Sequence, residues 1–176
     1  MTREKLIERI KNLAVLQGEF TLRSGKKSRY YIDKYRFETQ PDVLSALGKL
    51  FAQKVTPEVD RIAGPELGAV CLAAATAIEA NKPFVMVRKA AKEYGTTKKI
   101  EGELKAGEKV LLVEDILTTG GAVLEAAKSL TEAGAIIVGI VGVIDRLEGA
   151  RHNIESAGFK MDALFTVADL GIEGPH

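Results

Sequence analysis

With 176 residues and 46% apolar composition, the chain is long enough for one domain with a real core and too short for two comfortable ones. The 25 Lys and Arg against 24 Asp and Glu exclude a global field for gripping nucleic acid or an anionic membrane, so any anion site must be local. A single cysteine, Cys71, excludes an internal disulfide framework, and its apolar neighbours Val70 and Leu72 point to a buried thiol.

The start, MTREKLIERI, is charged and lacks a signal-peptide apolar region, and runs such as AIIVGIVGVI are far shorter than the ~20 residues of a bilayer span. The expected setting is cytoplasmic. Residues Thr2 to about Leu16 carry Leu6, Ile7, Ile10 and Leu13 at helical spacing, with Thr2 as the expected N-cap. GEFTLRSGKKSRYYIDKYRF, Gly18–Phe37, places Ser24-Gly25 between two short aromatic or β-branched runs, which predicts a strand–turn–strand excursion. Val43, Leu44, Leu47 and Leu50 mark a helix over Pro41–Phe51, with the proline in its first turn.

Beyond that helix the pattern alternates. Apolar runs at Arg61–Gly64, Phe84–Val87, Lys109–Val113, Ile136–Ile144 and Ala163–Val167 read as strands. Helical stretches lie at Leu67–Ala80, Gly121–Ala133 and about Gly149–Ala157. This predicts an α/β fold: a five-stranded parallel sheet with helices on both faces. The organisation expected is a single domain, with residues 1–40 an N-terminal helix and hood and residues 41–176 the core. One stretch breaks the alternation. RKAAKEYGTTKKIEGEL, about residues 88–104, is polar, basic and unperiodic, and a long loop of this kind suits a mobile lid better than a spacer.

In such sheets ligands sit at the carboxyl ends of the strands, where Gly64-Pro65-Glu66, Arg88-Lys89, Glu114–Gly121 and Asp145-Arg146 all fall. VLLVEDILTTGGAV, Val110–Val123, is the most informative stretch. Small residues opening a helix offer free backbone N–H groups and a dipole to a phosphate. Glu114 and Asp115 would repel a phosphate, but they can accept hydrogen bonds from two vicinal ribose hydroxyls and favour positive charge on the sugar. The pattern fits a ribose 5-phosphate. It is not a Walker loop, and no GxGxxG is present. His152 and His176 stand alone, which disfavours a histidine-based metal or triad site.

The same stretch resembles the signature of type I phosphoribosyltransferases, an apolar strand, two acidic residues and a Thr-Thr-Gly loop. FTLRSGKKSRYYIDKY resembles the N-terminal motif of the orotate phosphoribosyltransferases, usually close to FTLKSGRKSPYY. RKAAKEYGTTKKIEG resembles their mobile loop, and VIDRLEG their segment after the fourth strand. The likeness runs from about Gly18 to Gly149. It implies transfer of ribose 5-phosphate from phosphoribosyl pyrophosphate (PRPP) to orotate, in de novo pyrimidine biosynthesis. It also implies Mg²⁺ borne mainly by the PRPP phosphates, and a homodimer whose loop lysine, Lys89, reaches the neighbour's site.

By position, the resemblance assigns Arg23, Arg88, Lys89, Lys92 and Glu114, Asp115, Ile116, Leu117, Thr118, Thr119, Gly120, Gly121 and Ala122 to PRPP. Thr118 and Arg146 would bind orotate, and Lys89 and Asp115 are the catalytic candidates. Arg146 either forks an orotate carboxylate or forms an ion pair with Asp145 or Glu148. Tyr30 and Tyr31 either form the appendage's core or cover a flat pyrimidine. The chain departs from the family pattern at Arg23 (a lysine is usual), Arg29 (proline), Tyr94 (histidine) and GPELGAV, which lacks a common lysine. Two rival readings are a purine phosphoribosyltransferase of the same fold and a PRPP-sensing regulator without turnover. RSGKKSRYY and Arg146 count against the first, and near-neutral charge against the second.

Overall fold

The computed structural model describes residues 1–21, 25, 27–90 and 99–172. The first helix, α1 (Arg3–Ala14), is capped by Thr2, whose hydroxyl accepts the Lys5 N–H at 3.4 Å. It ends earlier than its apolar spacing suggests, because Val15 and Leu16 already belong to β1 (Val15–Thr21). β1 pairs antiparallel with β2 (Lys27–Ile32) as a separate two-stranded sheet. The excursion expected to run to Phe37 therefore stops at Ile32. Residues 34–38 form a short helix, α2 (Lys34–Glu38), whose five residues are too few to show a helical period in the sequence. α3 (Pro41–Ala52) follows, with proline in its first turn.

The main sheet is built from β3 (Arg61–Pro65), β4 (Phe84–Val87), β5 (Ile100–Glu101), β6 (Lys109–Leu117), β7 (Ile136–Asp145) and β8 (Met161–Thr166). Its spatial order is β5-β4-β3-β6-β7-β8. The five expected strands are all present and run parallel. β5 adds an antiparallel edge, pairing Ile100 with Val87 and Glu101 with Met86. The far end of the unperiodic 88–104 segment thus returns to the sheet, in a strand of two residues that leaves no alternation to read. α4 (Gly68–Ala80), α5 (Gly121–Glu132) and α6 (Ala150–Ser156) complete the elements. No described helix is long and apolar enough to cross a membrane.

Strand alternation divides the core in two. Leu111 and Val113 of β6 pack with Leu6, Ile10, Phe37, Leu47, Phe51 and Leu72 on one face. Val110 and Leu112 pack with Val123, Leu130 and Ile154 on the other. The chain runs outward from β3 to β4, then returns to place β6 on the opposite side of β3. The carboxyl ends of β3 and β6 are therefore the point where strand order reverses, which is where open α/β sheets leave a crevice.

Candidate active site

β6 delivers the acidic pair and the Thr-Gly loop to that crevice. Its register with β7 ends with Leu117 opposite Asp145, so the Thr118 and Arg146 turns emerge side by side. They are tied together by Arg146 N–H to the Leu117 carbonyl (2.9 Å) and Ala150 N–H to the Thr118 carbonyl (3.1 Å). Asn153 Nδ2 donates to the Thr119 carbonyl at 2.9 Å, bracing the loop from α6. Gly120 turns the chain with φ +83°, and a Cβ there would stand 3.0 Å from Ile154, so glycine is required. Leu124 N–H to the Gly120 carbonyl is the bond that opens α5, and the amides ahead of it have no helical partner. Thr119, Gly121 and Ala122 are exposed and Thr118 is half-buried. The geometry offers a helix start to an anion.

Below the loop the charges are unevenly matched. Asp115 and Glu114 are both buried. Glu114 Oε1 accepts the Asp115 N–H at 2.9 Å. Asp115 Oδ1 accepts the Ile116 N–H at 2.6 Å, and its Oδ2 meets Lys34 Nζ of α2 at 2.5 Å. Burial pulls the Lys34 ammonium down, but the Asp115 charge and hydrogen bond outweigh it and hold the pKa above its ordinary value. Burial, then the Asp115 charge, push Glu114 well up. Glu38, at the end of α2, is 1% exposed, and neither oxygen has a hydrogen-bond partner. Burial, then repulsion from Asp115, push it up to about 8. α4 closes over the group through Gly68, where a Cβ would overlap Asp115 Oδ2 and stand 2.8 Å from Glu38 Oε2. Only a glycine lets the helix start come this close. Cys71, one turn on, is half-buried rather than buried, donates to the Gly68 carbonyl at 3.0 Å, and is pushed up to about 11, chiefly by burial.

Arg146 is 9% exposed. Its Nη2 lies 2.9 Å from Glu148 Oε1 and 3.3 Å from the Tyr30 hydroxyl, and its guanidinium stands over the Tyr30 ring at 5.3 Å. Asp145 is not its partner; that carboxylate accepts the Leu147 N–H at 2.8 Å. Arg146 Nε is buried without a partner, a donor still lacking its acceptor. Tyr30 is half-buried and reaches this guanidinium, while Tyr31, 45% exposed, packs against Phe20. Adjacent positions on β2 face opposite ways, so the structure brings Tyr30 to Arg146 and does not bring Tyr31 there.

At the root of the basic segment, Lys89 N–H donates to Glu66 Oε1 at 2.6 Å and Glu66 N–H to the Val87 carbonyl at 2.8 Å, joining the β3 and β4 ends. The Lys89 side chain is exposed, and Arg88 faces Glu101 across 3.8 Å. Arg23, Lys92 and Tyr94 lie outside the described residues. Lys34 and Glu38 carried no role in the sequence, and Glu66 stood out only within Gly64-Pro65-Glu66 at a strand's carboxyl end. Lys34 and Glu38 were legible only as a pair four residues apart, one within and one just past the Gly18–Phe37 stretch expected to be extended.

A family model described as a phosphoribosyl transferase domain matches residues 35–169. The orotate phosphoribosyltransferases of Pyrococcus abyssi (strain GE5 / Orsay) and Methanocaldococcus jannaschii are 49% and 46% identical over 172 and 169 residues. Each alignment covers 96% of this chain, with 94% and 96% of the respective relative. The crystal structure of Mycobacterium tuberculosis H37Rv orotate phosphoribosyltransferase in complex with Fe(III) dicitrate matches with a TM-score of 0.87 at 33% identity, over 97% of this chain and 99% of that one. The same enzyme in complex with PRPP matches with a TM-score of 0.82 at 31% identity, over 97% and 99%.

Proposed function

The chain belongs to the phosphoribosyltransferase family, among the orotate phosphoribosyltransferases, and we infer from its site how these residues carry the reaction. Ribose 5-phosphate passes from PRPP to orotate, giving orotidine 5′-phosphate and pyrophosphate. The observation that carries the residue assignment is the acidic pair, buried where β6 meets a helix start with free amides. The 5-phosphate takes the amides and hydroxyls of Thr118, Thr119, Gly120, Gly121 and Ala122, with Ile116 and Leu117 setting their position. Asp115 accepts a ribose hydroxyl with Glu114 beside it, and the Asp115 charge favours the cationic sugar as the bond to pyrophosphate loosens. The α4 start, close to the cluster through Gly68, and the cations Arg88 and Lys89 receive the leaving group, with Arg23 and Lys92 assigned to PRPP by resemblance. Arg146 Nε and its neighbouring N–H groups fork the orotate carboxylate, and Tyr30 lines the base side with Thr118. Tyr31 is kept only as part of the hood that residues 1–40 would form.

Among the described residues no group of three or more His, Cys, Asp or Glu side chains is arranged to hold a metal ion. Independently of that, we propose that Mg²⁺ would arrive on the PRPP diphosphate and keep several of its own waters. Held there, the ion would supply positive charge to the pyrophosphate group, beside Arg88 and Lys89. We place the protein in the cytoplasm, with no membrane or nucleic-acid partner, as a homodimer in which Lys89 serves the neighbouring site. Leu67, just ahead of α4, and Val70, Ala74 and Ile78 on it support a second copy: they form an apolar stripe whose end members are 69% and 80% exposed.

The test is PRPP-dependent loss of orotate absorbance, with adenine, hypoxanthine, xanthine and uracil as competing substrates. Orotate is expected to be consumed alone; faster ribosylation of a purine would move the assignment to a purine phosphoribosyltransferase. For the dimer, Lys89→Ala subunits are mixed with Asp115→Asn subunits. If Lys89 acts in the neighbour's site, each mixed dimer holds one intact site, and about half of wild-type activity per mixed dimer returns. No recovery places Lys89 in its own subunit's site.

A further inference from the structure

Lys34 and Glu38 stand four residues apart on α2, the spacing at which a lysine and a glutamate on one helix meet. They do not pair. Lys34 Nζ sits on Asp115 Oδ2, and both Glu38 oxygens are sealed from water without a partner. A buried carboxyl in that condition needs either a proton or a cation. Asp115 has the opposite difficulty. Its Oδ1 is held by the Ile116 N–H and its Oδ2 by Lys34, and its side chain is 4% exposed. Each oxygen keeps a second lone pair, but the side chain is almost sealed, so a ribose hydroxyl gains room at Oδ2 as Lys34 moves aside.

We propose that Lys34 is a transferable counter-ion, holding Asp115 in the empty site and passing to Glu38 when a ribose hydroxyl takes Asp115, while Glu38 releases its proton to solvent. This exchange rests on the reading that Asp115 receives the ribose, and it adds Lys34 and Glu38 as positioning residues for PRPP. The step balances. The Nζ contact to Asp115 Oδ2 breaks, the sugar O–H donates to that oxygen, Nζ donates to a Glu38 oxygen, and the Glu38 proton leaves.

The surroundings favour this sequence of events. Glu38 is faced by Lys34 on its own helix and by Asp33 just before it. Asp115 and Glu114 approach from β6, and Cys71 from α4. Burial and the Asp115 charge keep Glu38 protonated at neutral pH, while the arrival of an ammonium removes the reason for holding the proton. Lys34 is held above its ordinary pKa and stays charged throughout, and Cys71, at about 11, stays a thiol. The charge thus moves within one helical turn, along a side chain that keeps 30% of its surface exposed.

Calorimetry of Mg-PRPP binding near neutral pH, in buffers of different ionisation enthalpy, counts the protons released. The wild-type protein is expected to release a fraction approaching one proton per site. Glu38→Gln, with the same shape and no proton to give, is expected to release almost none from this position. Wild-type PRPP affinity should rise with pH by up to about tenfold per unit below the Glu38 value of about 8, and the Glu38→Gln profile should be flatter by that amount. Glu114 and the phosphates of PRPP titrate in both proteins, so the difference between them isolates Glu38. Lys34→Met removes the cation and should suppress the same release; it decides the matter if Glu38→Gln does not fold. Proton release unchanged in either variant overturns the exchange. Failure of the wild-type protein to bind PRPP defeats the functional reading and the exchange together, whereas PRPP binding with no difference in proton release defeats the exchange alone.

Discussion

The two ends of the β3–β6 pair handle buried charge in opposite ways. At the amino end Arg61, 6% exposed, forks Glu108 with Nε to Oε2 and Nη2 to Oε1, both at 2.8 Å. The Lys105 N–H adds a third bond at 2.9 Å, and the Arg61 hydrogen bond leads in holding Glu108 down at about 2. One cation meets one carboxylate and every oxygen is used. At the carboxyl end Glu38, Glu114 and Asp115 share Lys34, and two of the three are pushed upward. A matched pair adds stability and leaves nothing for a ligand to complete. An unmatched cluster is tolerated where a substrate brings the missing partners.

The sharpest way to break this contrast is Asp115→Asn. We expect kcat/KM to fall by about 10²–10³-fold, the scale of losing one transition-state electrostatic contact. The fold should survive, because Lys34 can turn to Glu38 on its own helix. Steady-state kinetics and a denaturation curve check both halves. Wild-type activity in this variant would make the acidic pair a mere strand cap.

Arg146→Ala is next in size. Orotate binding should weaken roughly 10–100-fold, as expected for charge-assisted hydrogen bonds to a carboxylate, with PRPP binding nearly untouched. Calorimetry with each ligand separates the two, and the reverse pattern would move Arg146 to the phosphate side. Arg61→Ala should do the opposite of both. We expect a stability loss of about 2–3 kcal/mol in urea at neutral pH, with kcat/KM unchanged. Because Glu108 is depressed, its contribution is present above its ordinary value of 4.5 and lost as pH falls toward about 2, so wild type and variant should converge in acid.

Much of this site was readable in the chain because its parts lie close together in sequence. Glu114 through Ala122 form one uninterrupted strand, loop and helix start, and the five apolar runs gave the parallel strands. The matched end was less legible. Nothing in the spacing of Arg61 and Glu108, 47 positions apart, announces a fork. Lys34 and Glu38 escaped for another reason: a five-residue helix carries no periodic signal, and Tyr30, Tyr31 and Ile32 ahead of it read as extended chain. Tyr31 shows the limit of composition, since two adjacent tyrosines on a strand cannot both face one ligand. β5 escaped because two residues show no alternation.

The smallest expected effect bears most directly on the contrast between the two ends, because there the sign of the pH dependence reverses. A carboxyl whose folded pKa lies above its unfolded value contributes stability fully below the unfolded value, and loses it as pH rises through the folded one. For Glu38 the window runs from 4.5 to about 8. Across this window the ligand-free protein should lose stability as pH rises, because Glu38 gives up its proton while Lys34 stays on Asp115. Glu38→Gln should remove that slope from the stability curve of the ligand-free protein and leave the acid limb set by Glu108 in place. Saturating Mg-PRPP should flatten the wild-type curve in the same window, since Lys34 then already faces Glu38. Urea midpoints at several pH values, with and without the ligand, measure all of this. A wild-type slope retained in Glu38→Gln would assign the titration to Glu114, the other carboxyl that burial pushes upward.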